Sequence, residues 1–252
     1  MKKVLIIGYG TVGHNLAEEL APLHPDIYDK YKPEHNTRDP RGGYDVAFIC
    51  VDTPYIQGES LCDTSEVKNA ILENDAEIFV MKSTVLPGTV DRLCSETGKN
   101  IIFSPEYYGG TQHCNNFDFA FTILGGERRC CLKVQQLLQN VYDARHTFRI
   151  TDAKTAELAK YMENAYLATK VSFCTQFWFT AGNLGVDYEE LRELFVLDPR
   201  VGKAHTFVYD DHPFWSSHCL DKDVPAVAET FRMPFLLSVI EFNDTMKKRF
   251  SE

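Results

Sequence analysis

Val4-Leu5-Ile6-Ile7-Gly8-Tyr9-Gly10-Thr11-Val12-Gly13 follows directly on Met1-Lys2-Lys3 at the start of the chain. Four consecutive apolar residues, two of them isoleucine and one valine, read as a buried strand, and the residues from Thr11 onward read as a helix. Glycines at 8, 10 and 13 sit where strand passes into helix. There they let the backbone turn tightly and approach a pyrophosphate at the positive end of the helix, with Thr11 and Val12 in the same turn. The alternative is a strand-turn-helix whose glycines serve packing alone. The next short apolar run, Ile27-Tyr28, ends in Asp29. A carboxylate at the end of that second strand can bind both hydroxyls of an adenosine ribose while repelling a 2′-phosphate. This favours NAD over NADP, with Lys30 and Lys32 close by working against the preference.

Outward from this stretch the first half of the chain alternates. Short runs rich in β-branched and aromatic residues recur at Val46 to Val51, Ile78 to Met81, Ile101 to Phe103 and Phe119 to Leu124, with helical stretches between several of them. This is the pattern of βα units stacked into a parallel sheet. From Thr151 the pattern changes. Asp152 to Ala181 contains no proline or glycine and places apolar residues at 158, 161, 162, 165 and 168, a helical period. Further helical segments are expected at Tyr188 to Leu197 and from Pro225 or Pro234 onward, with a loop over Tyr209 to His218. The fold class is α/β: an N-terminal Rossmann parallel sheet at 1–150, followed by an all-helical domain at 151–252 with a long central helix.

Composition narrows the partners. The 252 residues carry 36 Asp and Glu against 26 Lys and Arg, a net charge of −10, and no long basic block. Such a surface repels a phosphate backbone, which argues against nucleic acid. No apolar run is long enough to cross a bilayer and no signal-peptide pattern opens the chain, so a cytoplasmic protein is expected. The eight cysteines form no CxxC pair and sit mostly in apolar stretches, as buried reduced thiols do.

Cys219 is the cysteine outside such a stretch, flanked by His218, Lys222 and Asp223. A thiolate can hold an aldehyde as a thiohemiacetal, whose oxidation gives a thioester for water to cleave, and a nearby cation favours the thiolate. Taken alone, Cys219 is better read as an inert thiol on a loop; the Cys-x-x-Lys-Asp spacing of residues 219–223 reverses that preference. Lys160 and Asn164 lie four apart on the long helical run and so share one face. A lysine and an amide donor suit the stabilisation of an alkoxide or oxyanion; a solvated lysine is the bland alternative. Glu106 follows Pro105 at the C-terminal end of a strand, where open α/β sheets bind ligands. His205, His212, His218 and Cys219 match no familiar zinc-ligand spacing, and no metal is expected. The aromatic cluster Phe173, Phe177, Trp178 and Phe179 reads as core or subunit interface in preference to a base-stacking platform.

Six segments occur in a recognisable order: Cys50-Val51-Asp52-Thr53-Pro54, Lys82-Ser83-Thr84-Val85-Leu86-Pro87-Gly88-Thr89, Ser104-Pro105-Glu106-Tyr107-Tyr108, Glu157-Leu158-Ala159-Lys160-Tyr161-Met162-Glu163-Asn164, Asp198-Pro199-Arg200-Val201-Gly202 and Cys219-Leu220-Asp221-Lys222-Asp223. Together they resemble the UDP-glucose/GDP-mannose dehydrogenase family over nearly the whole chain. The resemblance implies oxidation of the C6 alcohol of a nucleotide sugar to a carboxylate by two successive NAD⁺. It implies Cys219 as the covalent residue, Lys160 and Asn164 as oxyanion donors that also touch substrate, and Asp223 as an aid to proton transfer. Thr84 and Glu106 would position water and assist thioester hydrolysis. Gly8, Gly10, Thr11, Val12, Gly13, Asp29, Lys30, Val51, Thr53, Thr84 and Lys222 would hold NAD. Glu106, Tyr107, Arg200 and Trp215 would bind the sugar nucleotide, with Arg200 reaching the substrate of a neighbouring subunit in a homodimer. An ordinary surface arginine is the alternative there.

Three departures from the family pattern stand out. Gly110 replaces a second glutamate four residues after Glu106. Pro213-Phe214-Trp215-Ser216-Ser217-His218 replaces a glycine-rich loop before the cysteine, so Trp215 is expected to give the sugar a different floor. Relatives continue past the helix matched by Leu236 to Phe250 into a second α/β domain, which these 252 residues do not contain. A chain that works without that domain, one completed by a partner, and one that has lost catalysis are all compatible with this. Two other functions stay open: a one-step hydroxyacid-type dehydrogenase, and a non-catalytic NAD- or sugar-nucleotide-binding subunit of a larger assembly.

Overall fold

The structure, a computed structural model, describes residues 2–39, 41–56, 61–109, 113 and 119–250. Its elements in chain order are β1 (Val4–Ile7), α1 (Thr11–Glu19), β2 (Asp26–Tyr28), β3 (Tyr44–Ile49), β4 (Tyr55–Ile56), β5 (Leu61–Cys62), α2 (Ser65–Leu72), β6 (Ala76–Met81), α3 (Thr89–Thr97), β7 (Ile101–Phe103), β8 (Phe121–Gly125), α4 (Arg128–Leu138), β9 (Thr147–Thr151), α5 (Ala153–Leu184), α6 (Tyr188–Phe195), α7 (His218–Thr230) and α8 (Pro234–Phe250). The chain divides into two compact units. One comprises 1–108 with 118–160, the other 109–117 with 161–252. The division falls within α5, later than the boundary near 150 read from composition.

The first unit is a seven-stranded sheet in the order β2-β1-β3-β6-β7-β8-β9, flanked on both faces by helices. The period of two along each strand decides which side chain goes where. Leu5, Ile7, Ala47, Ile49, Phe79, Met81, Ile101 and Phe103 face α2, α3 and the start of α5. Val4, Ile6, Val46, Phe48, Ile78, Val80 and Ile102 face α1 and α4. Strands covered on both faces read as unbroken apolar runs, which is why they are so legible. The expectation of a parallel sheet holds for every pair but one: β8 runs antiparallel to β7, meeting it at Phe103 and Gly125. β9, parallel to β8, is an additional edge strand. The strand order reverses at β1, which has β2 on one side and β3 on the other. The loops leaving β1 and β3 therefore flank a switch point, the position at which open α/β sheets take ligands.

The second unit is helical. Asp152 caps α5 by accepting from the Thr155 amide at 2.9 Å, and Gly185 (φ +68°) ends it, with Val186 N–H donating back to Ala181 O at 2.9 Å. α7 starts at His218, one residue before Cys219, because the Ser217 hydroxyl accepts from the Leu220 amide at 3.1 Å. Cys219, Lys222 and Asp223 therefore lie on the first turns of a helix, and Pro225 lies inside it. No helix among the described residues is long and apolar enough to cross a membrane.

Candidate active site

In the first unit the three glycines of the opening motif separate by function. A Cβ on Gly8 (φ +90°) would stand 2.6 Å from the Cys50 carbonyl oxygen, and one on Gly13 would stand 1.9 Å from the Gly8 carbonyl oxygen. Both are required by the protein's own packing. A Cβ on Gly10 would meet nothing within 4 Å, so packing does not account for that glycine, whereas a ligand passing over the loop would.

Asp29 is buried at the end of β2. One of its oxygens accepts from the Tyr9 amide at 2.6 Å, the other from the amides of Tyr31 at 2.7 Å and Lys32 at 2.9 Å. A carboxylate offers about four acceptor positions, so one stays open: enough for a single hydroxyl, where the sequence alone allowed two. Lys30 pairs with Glu66 at 3.5 Å, whose charge raises the lysine's pKa, and Lys32 Nζ donates to Tyr9 O at 2.9 Å. The two cations that worked against NAD are thus engaged by the protein.

The loops after β3 and β6 are stitched together. Ser83 Oγ donates to Val51 O at 2.6 Å, Thr53 Oγ1 to Thr84 O at 2.7 Å, and the Lys82 amide to Ile49 O at 2.9 Å. Beneath them Lys82 is buried, its Nζ donating to Pro105 O at 3.2 Å. Burial pushes its pKa down, offset in part by Glu19, Cys50 and Glu106. Glu106 is buried with one oxygen on the Tyr108 amide at 2.7 Å, and Lys160 Nζ stands 4.7 Å above the centre of the Tyr107 ring. Thr84, Glu106, Tyr107 and Lys160 thus belong to this unit.

Sequence reasoning missed the carboxylate that holds this segment. Glu19, at the C-terminal end of α1, is where the helix dipole disfavours negative charge. It accepts from the phenols of Tyr108 and Tyr142. Burial and the Glu19 charge raise both phenol pKa values far above their usual range. Nothing in the local sequence joins residues 19, 108 and 142.

In the second unit Asp223 is 1% exposed. One oxygen accepts from Asn164 Nδ2 at 2.7 Å and the other from the Lys222 ammonium. Cys219 lies one turn before this group. Of the seven cysteines among the described residues it alone is exposed, whereas Cys50 is partly buried and desolvation pushes its pKa up to about 12. The amide N–H groups at the start of a helix favour negative charge on a residue placed there. The segment before α7 is pinned by Asn243 on α8, whose Oδ1 accepts from the Trp215 amide at 2.9 Å and whose Nδ2 donates to Trp215 O at 3.0 Å.

Trp215 itself requires a correction. Its indole is 4% exposed, packed with Ala168, Leu220 and Val224, and its Nε1 donates to Ser172 Oγ at 3.0 Å. The ring belongs to the core and is not a floor for a sugar, because a side chain this apolar is worth more inside the helical unit than at its surface. Arg200 is exposed and lies against Asp198, with Nε–O distances of 3.0 Å. Within the aromatic cluster Phe173 and Phe177 are each nearly half exposed, whereas Trp178 and Phe179 are partly buried. Gly110 lies outside the described residues. Among the described residues no three His, Cys, Asp or Glu side chains are placed to hold a metal ion.

The first unit has the sheet reversal and glycine-rich turn of a doubly wound α/β fold, and the second places a buried Asn164–Asp223 pair, with Lys222 on it, one turn after an exposed thiol. The chain matches the central domain of the UDP-glucose/GDP-mannose dehydrogenase family over residues 154–245. It is 29% identical over 217 residues to a UDP-N-acetyl-D-mannosamine dehydrogenase of Methanocaldococcus jannaschii, covering 80% of this chain and 49% of that one. It is 30% identical over 207 residues to the GDP-mannose 6-dehydrogenase of Pseudomonas aeruginosa, covering 73% and 46%. The chain thus spans about half the length of these relatives. Its fold matches the structure of a UDP-glucose dehydrogenase from the archaeon Pyrobaculum islandicum with a TM-score of 0.81 at 22% identity, over 98% of this chain and 69% of that one.

Proposed function

We propose that the chain is an NAD-dependent dehydrogenase that takes the primary alcohol of a nucleotide sugar to the carboxylate through a covalent intermediate on Cys219. The observation that carries this reading is the exposed thiol at the start of α7, one turn before a buried carboxylate held by Asn164 and Lys222. NAD, when bound, accepts hydride at each oxidation. Gly10 is open to its pyrophosphate, the open acceptor position of Asp29 suits one ribose hydroxyl, and Val51 and Thr53 lie on the β3 loop at the switch point, to which the β6 loop with Thr84 is stitched.

The chemistry follows from side-chain types. The Cys219 thiolate adds to the aldehyde carbon, and the thiohemiacetal oxygen becomes an alkoxide for which the Lys160 ammonium and the Asn164 amide are suitable donors. Oxidation leaves a thioester. Water then attacks its carbonyl, giving up a proton to Asp223 or Glu106, and the carbon–sulfur bond breaks to release the carboxylate and restore the thiolate.

The protein in this reading is a homodimer. Leu158, Met162, Tyr166, Phe173, Phe177 and Leu184 are all exposed. Their spacing of four, four, seven, four and seven places them on one face of α5, an apolar stripe on a helix of 32 residues, or about 48 Å at 1.5 Å per residue.

The test is to incubate the protein with NAD⁺ and a panel of UDP- and GDP-sugars and follow reduced cofactor. Two NADH per sugar oxidised are expected, and Cys219→Ala is expected to abolish uronate formation. NADH formation unchanged in that variant would refute the covalent step, one NADH per substrate would indicate a one-step alcohol dehydrogenase, and NAD⁺ binding with no turnover across the panel would indicate a binding subunit.

A further inference from the structure

Glu157 stands on α5 one turn before Lys160, and it is completely buried. Its two oxygens accept from the two backbone amides at the start of α3, Gly88 at 2.6 Å and Val90 at 2.9 Å. Helices are ordinarily capped by a serine, threonine, aspartate or asparagine at their own first position. α3 has Gly88 there, in the left-handed region at φ +96°, with no side chain to offer. The cap is supplied instead by a carboxylate 69 residues further along the chain.

This arrangement is expensive. Burial penalises the charged form and pushes the Glu157 carboxyl up to about 7, against the stabilising pull of the Val90 and Gly88 amides. A serine at the cap would satisfy the same orphan amides without burying a charge. What the long-range carboxylate adds is a tie between two parts of the unit. On one side is the loop Lys82 to Gly88, which carries Thr84 and is already stitched to the β3 loop through Ser83 and Thr53. On the other is the turn of α5 that carries Lys160.

We propose that Glu157 is a positioning residue, clamping the Thr84 loop to the Lys160 turn so that the two keep one fixed separation. Its effect on turnover rests on the dehydrogenase reading above; the clamp itself does not.

The experiment compares wild type with Glu157→Gln, which keeps the shape but can accept only one of the two amides and turns its NH₂ toward the other. Amide hydrogen exchange is expected to quicken by about tenfold or more over residues 82–90 and stay unchanged in β3 and β6. With a turned-over nucleotide sugar, kcat is expected to fall by about tenfold or more while KM stays within about threefold, because misplacing a group acts on the reacting geometry more than on binding. Glu157→Asp, which retains the charge but has one methylene less reach, is expected to fall between, and it keeps the test available if the glutamine variant does not fold. Glu96→Gln, on the exposed face of α3 and paired with Lys68 and Arg92, is expected to change neither readout. Unchanged exchange over 82–90 in a folded Glu157 variant overturns the clamp. Quickened exchange with kcat and KM both at wild-type values overturns the positioning role. If wild type turns over no sugar, the dehydrogenase reading has failed separately: a rise of about fivefold or more in the Kd for NAD⁺ in Glu157→Gln then supports positioning, and an unchanged Kd overturns it.

Discussion

Replacing Asn243 should unseat the segment that leads into Cys219. The side chain is 1% exposed and makes two hydrogen bonds to one residue, accepting from the Trp215 amide at 2.9 Å and donating to its carbonyl at 3.0 Å. Asn243→Ala leaves a buried N–H and a buried C=O without partners at about 1–3 kcal/mol each, so the loss is on the order of 2–6 kcal/mol. At roughly 2–4 °C per kcal/mol for a chain of this size, the melting temperature should fall by about 4–24 °C. The assay is thermal unfolding followed by tryptophan fluorescence, with Trp215 as the buried reporter. It is paired with the rate at which a disulfide reagent labels the exposed thiol, which should rise as the Ser217 cap loosens. Asn243→Asp separates the two bonds. The introduced carboxylate can still accept from the amide but cannot donate to the carbonyl, and burial raises its pKa. Its deficit should therefore be greatest above neutral pH and shrink as acid restores a donor. A melting temperature within about 2 °C of wild type for Asn243→Ala, together with an unchanged labelling rate, would refute the reasoning.

Other substitutions test other parts. Gly10→Ala should leave the melting temperature unchanged, since the added methyl meets no protein atom, yet weaken NAD⁺ binding about tenfold or more by calorimetry; equal affinity would mean the cofactor does not cross that loop. Gly13→Ala should instead destabilise the fold itself, its methyl falling 1.9 Å from a backbone oxygen, which circular dichroism will register. Tyr142→Phe removes one of two phenols from the Glu19 carboxylate and should cost about 1.5–3 kcal/mol in urea unfolding. Glu157 makes stability depend on pH in a defined direction. Its folded pKa of about 7 lies above the ordinary value of 4.5, so the folded state holds the proton more tightly. The contribution is complete below about pH 4.5 and lost as pH rises through 7, about 3 kcal/mol in all. Glu157→Gln should flatten that slope between pH 5 and 8, and an equal slope in both proteins would contradict it.

Several of these residues are visible in the sequence only as letters within a motif. β1, β3, β6 and β7 announce themselves because each is covered on both faces and so reads as an apolar run. β9 does not. Thr147-Phe148-Arg149-Ile150-Thr151 is an edge strand with one polar face, and an alternation of five residues carries little signal. The start of α7 reads as loop because Pro213, Trp215 and His218 cluster there and Pro225 interrupts the helical pattern beyond, whereas Ser217 supplies the cap that starts the helix earlier. Trp215 is matched to the sugar only by its place in a motif. Its surroundings, Ala168 and Val224, come from elements some 47 and 9 residues away, and they put the ring inside.

The sequence by itself determined the strand-glycine-helix opening, the buried strands of the sheet through their apolar runs, the long helix, and the set of residues whose types suit the chemistry. Those features are local: period, glycine spacing and side-chain type act over a few residues. Only the tertiary structure decided which of the three glycines has open space beside it, that Asp29 keeps one acceptor position where two hydroxyls had been allowed for, that Glu19 and Glu157 hold loops of the first unit, and that Asn243 holds the segment before Cys219 in the second. The Glu19, Glu157 and Asn243 assignments depend on hydrogen bonds between residues 28 to 123 apart in the chain, and a buried polar group reveals its role only when its partner is known.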